Sequence, residues 1–127
     1  MNKMVVTIID KQPLFRLGVR HVLSQQPDLE VFDTSPDQDP IILIETNPPD
    51  VLLLDVDYPS LNGLKLAQKI TLCYPTTKIV MLTSNIDDRQ LFEMIKTRAI
   101  EHIDKNVSGE KLTETIREVS HGESPDK

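Results

Sequence analysis

Short apolar, β-branched runs alternate along this chain with segments whose apolar residues recur at helical spacing, and that alternation restricts the fold more than any other feature. The runs are Met4–Ile9, Leu29–Thr34, Val51–Leu54, Lys78–Leu82 and a weaker His102–Asp104. Met4–Ile9, Val51–Leu54 and Lys78–Leu82 have the length and the Val/Ile/Leu content of buried strands. Pro13–Ser24 reads as the first helix, with Pro13 suited to its first turn and Leu14, Leu17, His21 and Val22 at helical spacing. A second helix starts behind Asp39 as N-cap with Pro40 following, and ends before Asn47-Pro48-Pro49. Gly63 to Cys73 reads as a third, with Leu66, Ile70 and Cys73 on its apolar face. Asp87–Thr97 reads as a fourth, opened by Asp87 and Gln90 as a variant capping box. Ser108–Ser120 closes the series, with Leu112, Ile116 and Val119 as its stripe and a stop at His121-Gly122.

Five β-α units in sequence predict a parallel sheet with helices on both faces. Right-handed crossovers then bring every β-to-α loop to one edge of the sheet. Ligands of open sheets of this kind bind at that carboxyl edge, where the strand order reverses. The place of any chemistry is therefore set before a motif is consulted.

The 127 residues suffice for one domain with its own core. No run approaches the ~20 apolar residues of a membrane span, and Met1 to Asp10 lacks the layout of a signal peptide. A cytoplasmic protein is expected. The single cysteine, Cys73, forms no internal disulfide and is expected to be inert packing. A net charge of −6 and 4% aromatic residues argue against nucleic-acid binding through this segment. With four glycines and neither G-x-G-x-x-G nor G-x-S-x-G, the chain offers no phosphate loop and no hydrolase elbow.

Four polar residues fall at the expected edge: Asp10, Asp55, Thr83 and Lys105. Taken singly, each has an ordinary reading, as a helix cap, a loop residue or a surface lysine. Together they form a set that can accept a phosphoryl group. A carboxylate can attack phosphorus to give an acyl phosphate, and the transferred group needs positive charge near its oxygens.

The stretch Val51-Leu-Leu-Leu-Asp55-Val-Asp-Tyr-Pro59-Ser-Leu-Asn-Gly63 resembles the phosphoacceptor motif of response regulator receiver domains. Ile8-Ile-Asp10 with Pro13 and Phe15-Arg-Leu-Gly18 resembles the opening of receivers that carry a LuxR-type output domain. Ile79-Val-Met-Leu-Thr83-Ser84 resembles the switch strand, and Ile103-Asp-Lys105 the strand ending in the family's lysine. The resemblance runs from about Val5 to Gly122. It implies a flavodoxin-like (βα)5 fold of strand order 2-1-3-4-5, with residues 1–122 as receiver and 123–127 as the start of a linker or tail.

The same resemblance implies that Asp55 is the phosphoacceptor and that Asp10, Asp55 and the backbone carbonyl of Asp57 hold Mg²⁺. Thr83 and Ser84 would bind the phosphoryl group and switch, and Lys105 would pair with its charge. The donor would be a phosphohistidine of a sensor histidine kinase. A homodimer and a DNA-binding helix-turn-helix beyond Lys127 would complete the regulator. The chain departs from the pattern at Lys11, where receivers have a second acid, and at His102, Arg98 and Asn106. Weakened Mg²⁺ binding is expected from Lys11, whose ammonium either takes part of the cation's place or faces solvent. His102 is expected on a partly exposed face between the last two helices. The alternative function is a degenerate receiver that recognises partners without phosphorylation.

Overall fold

The computed structural model describes residues 3–34, 39–57, 63–84 and 101–121. Five strands form one parallel sheet: β1 (Met4–Ile9), β2 (Leu29–Asp33), β3 (Val51–Asp55), β4 (Lys78–Thr83) and β5 (Glu101–Asp104). Their spatial order is β2-β1-β3-β4-β5, as expected. The register pairs Ile9 with Leu54, Asp55 with Leu82 and Thr83 with Asp104. Four helices are described: α1 (Pro13–Ser24), α2 (Pro40–Thr46), α3 (Gly63–Cys73) and α4 (Gly109–Ser120). The expected helix Asp87–Thr97 lies outside the described residues, as do Arg98, Pro59 and the segment after His121.

Alternation along the strands divides the core into two layers, because successive side chains point to opposite faces. Val6, Ile8, Val51, Leu53, Val80 and Leu82 pack with Val19 and Leu23 of α1 and with Leu112, Ile116 and Val119 of α4. Ile9, Leu52, Leu54, Ile79 and Met81 pack on the other face with Ile44 of α2 and with Ala67 and Ile70 of α3. Every residue of β3 is buried, as a central strand covered on both faces must be. Local signals at the helix starts are also realised. Asp39 Oδ1 accepts from the Ile41 amide at 2.9 Å, and Ser108 Oγ from the Lys111 amide at 3.1 Å.

Two helix faces differ from expectation. On α1 the buried residues are Val19 and Leu23, while Leu14 is 85% exposed and Leu17 63%. His21 is exposed and Val22 only partly buried. The helix carries apolar residues on more than one side, so spacing alone does not tell which stripe faces the sheet. Phe15 lies on the packed side, against the layer formed with α4. On α3, Gly63, Ala67 and Ile70 are buried, Leu66 is partly buried and Cys73 is exposed. Cys73 is therefore not core packing: it falls in the last turn, off the stripe that repeats from Gly63.

Candidate functional site

Asp10 follows β1 directly, Asp55 and Thr83 end β3 and β4, and Lys105 follows β5, so the parallel register brings all four to one edge. Asp10, Asp55 and Thr83 are 2% exposed or less. Two carboxylates cannot stay buried and charged without compensation. The Lys105 ammonium supplies it, lying 2.8 Å from Asp10 Oδ2 and 3.4 Å from Asp55 Oδ2. Its third contact is Gln12 Oε1 at 2.6 Å, and the Phe15 ring centroid lies 5.1 Å away. Gln12 Oε1 accepts a hydrogen bond from the ammonium, and the two carboxylates are met as ion pairs.

The remaining carboxylate oxygens take backbone donors. The Gln12 amide donates to Asp10 Oδ1 at 2.8 Å, and the Asp57 amide to Asp55 Oδ1 at 3.0 Å. The Lys11 amide approaches Asp55 Oδ2 at 3.4 Å. Burial pushes the Asp10 carboxyl above its ordinary value, and the neighbouring Asp55 charge adds to that push. The bonds from Lys105 and the Gln12 amide pull the other way without cancelling it.

Neighbouring elements hold this cluster in place. Arg16, from α1, donates to the Asp10 carbonyl at 2.8 Å and pairs with Asp33 Oδ2 at 3.3 Å. The Lys105 amide donates to the Thr83 carbonyl at 2.8 Å, and Thr83 Oγ1 donates to the Ile103 carbonyl at 3.3 Å. Gly63 begins α3 directly against the backbone of Asp55 and Val56. A Cβ there would lie 2.6 Å from the Val56 carbonyl oxygen, closer than any side chain can come. The glycine of the motif is thus needed for close approach rather than for a left-handed turn.

Ser84 is exposed beside the cluster, and Lys11 is exposed with its amide rather than its ammonium toward Asp55. His102 is exposed, with Nδ1 3.7 Å from Glu101 Oε1. The expected placement of His102 between the last two helices rests on residues outside the described set. Sequence reasoning missed Gln12, Phe15 and Arg16. Phe15 and Arg16 stood in a motif already singled out, but nothing in their spacing revealed that the ring and Gln12 carry Lys105.

The residues present do not suit the Mg²⁺ that the resemblance implies. Three of the four oxygens of Asp10 and Asp55 accept backbone amides, and the fourth, Asp10 Oδ2, is buried without a hydrogen bond and meets the Lys105 ammonium as an ion pair at 2.8 Å. A divalent ion would have to displace the Lys105 ammonium from Asp10. The position that would offer a third carboxylate holds Lys11, and among the described residues no three acidic, His or Cys side chains converge. Mg²⁺ is usually held through carboxylates whose oxygens are open to it, and an adjacent ammonium repels it.

Comparison with known proteins agrees with the geometry. Residues 6–117 match the family model described as the response regulator receiver domain. The chain is 31% identical over 122 residues to the transcriptional regulatory protein DegU of Brevibacillus brevis, covering 95% of this chain and 52% of that protein. It is 36% identical over 124 residues to the uncharacterized transcriptional regulatory protein YxjL of Bacillus subtilis, covering 97% and 57%. The chain thus spans about half the length of these relatives. Among solved structures it is similar to the signal receiver domain of a NarL response regulator from Mycobacterium tuberculosis. The TM-score is 0.83 at 21% identity, over 96% of this chain and 99% of that one. No helix among the described residues is long and apolar enough to cross a membrane.

Proposed function

The chain belongs to the response regulator receiver domain family, and from that premise we propose that it takes a phosphoryl group onto Asp55 from a phosphohistidine of a sensor histidine kinase. The observation that carries this reading is the Lys105 ammonium, 3.4 Å from Asp55 Oδ2 in a buried cluster at the carboxyl edge of the sheet. In the transfer, a carboxylate oxygen of Asp55 forms a bond to phosphorus as the phosphorus–nitrogen bond of the donor breaks. The imidazole leaves with the bonding pair. Charge gathers on the phosphoryl oxygens, and the Lys105 ammonium is already positioned to balance it without reorganisation. Asp10 and Gln12 hold that ammonium beside Asp55.

Thr83 is the second participant. Its hydroxyl now bonds to the Ile103 carbonyl, a partner on β5. Trading that partner for a phosphoryl oxygen would release a contact between β4 and β5, and so would carry the change at Asp55 toward the α4 side of the domain. Ser84, exposed at the next position, lines an open cleft together with Lys105 and Lys11. The relatives named above are transcriptional regulatory proteins. On that likeness the readout is a DNA-binding output domain coupled to this receiver, with homodimer formation as one means of coupling.

Intact mass after incubation with a small phosphodonor tests the reading. The parent gains one phosphoryl group and Asp55→Asn gains none. Equal labelling of that variant would remove Asp55 from the role.

A further inference from the structure

The site contains two carboxylates, Asp10 and Asp55, and two lysines, Lys105 and Lys11. It is balanced in charge before any ion arrives. Lys105 sits within the cluster, in ion-pair contact with both acids. Lys11 stands at its mouth, with its amide 3.4 Å from Asp55 Oδ2 and its side chain exposed. Both lysines line one open cleft of about 660 Å³ together with Gln12, Ser84 and Asn106. An incoming phosphoryl group would meet the Lys105 ammonium, and the exposed Lys11 side chain has a flexible four-carbon stem by which its ammonium can be brought to the same group.

We infer that Lys11 takes the place of a divalent cation here, so that Asp55 accepts a phosphoryl group without metal. The inference rests on the reading of Asp55 as acceptor. A carboxylate holding a divalent ion contributes one net positive charge, and a lysine at that position contributes the same. Once Asp55 is acylated its own charge is gone and the phosphoryl group brings two. Asp10, Lys105 and Lys11 then leave the site with one net negative charge, the value that an additional acid plus a divalent ion would also give. The Lys105 ammonium, set against both carboxylates, stands where the ion would have to come, and Lys11 supplies the charge that the ion would bring. The ammonium acts as a point charge with no coordination geometry to satisfy.

The test uses phosphoramidate as donor, in which a phosphorus–nitrogen bond breaks, the bond to Asp55 forms and ammonia leaves with a proton from water. Labelling is followed by intact mass in excess EDTA and in excess Mg²⁺. The parent is expected to label at rates within about twofold in the two conditions, because a fixed charge of the same size does the stabilising. Lys11→Asp should reverse this, labelling with Mg²⁺ and about tenfold more slowly in EDTA. Lys11→Met should be slowed in EDTA with an unchanged circular dichroism spectrum, and Lys11→Arg should retain metal-free labelling. Strict Mg²⁺ dependence of the parent would overturn the inference, as would Lys11→Met labelling in EDTA as fast as the parent. A parent silent in both conditions beside a Lys11→Asp variant that labels with Mg²⁺ would overturn it while sparing Asp55. Silence in all four proteins would bring down the acceptor reading as well.

Discussion

Lys105 meets three oxygens and an aromatic face at once, and two of those oxygens belong to carboxylates that would otherwise repel each other. The price of that arrangement falls on Asp10. Its carboxyl is raised by burial, so the folded state favours the proton more than the unfolded chain does. Above the raised value this opposes folding; below the ordinary value of 3.8 both states are protonated and the opposition is gone. Asp10→Asn should therefore melt higher than the parent at neutral pH. The difference should shrink as pH falls through the raised value and vanish below the ordinary one. Thermal melts across that range check it, and a gap that widens on acidification would contradict the assignment. Gly63 makes a second residue-scale prediction. Because a Cβ would press on the backbone behind Asp55, Gly63→Ala should cost on the order of 3 kcal/mol in denaturant unfolding.

At the scale of elements, strands were more legible than helix faces. Val51-Leu-Leu-Leu reads as a strand covered on both sides, and the sheet order that the family resemblance implied is the one observed. Strand ends moved by one residue, which places Asp55 and Thr83 inside β3 and β4 rather than after them. The α1 stripe was misread for a physical reason. Leu14 and Leu17 share a helical period with His21, while Phe15, Val19 and Leu23 share another, and only the position of α1 against the sheet selects between them. The selection is measurable. Leu23→Ala should lose about 2–5 kcal/mol by leaving a cavity between α1 and the sheet. Leu17→Ser should stay within about 0.5 kcal/mol of the parent.

Across the whole molecule, the four polar residues at the sheet edge were legible because topology alone gathers them. Strands running in parallel present their carboxyl ends together, whatever lies between them in sequence. The way Lys105 is held was not legible, since it depends on Gln12 and Phe15 contacting a residue 93 positions away from Gln12. Nor could spacing decide between the two readings of Lys11; the structure turns its amide toward Asp55 and leaves its side chain exposed. Asp55 as the carrier of the phosphoryl group is open to a direct chemical test. Reduction with borohydride converts an aspartyl phosphate to homoserine, so peptide mass spectrometry after phosphorylation and reduction locates the acceptor directly. Homoserine at position 55 alone is the expected result; homoserine at Asp10 or Asp57, or at no position in a protein that has gained phosphoryl mass, would contradict it.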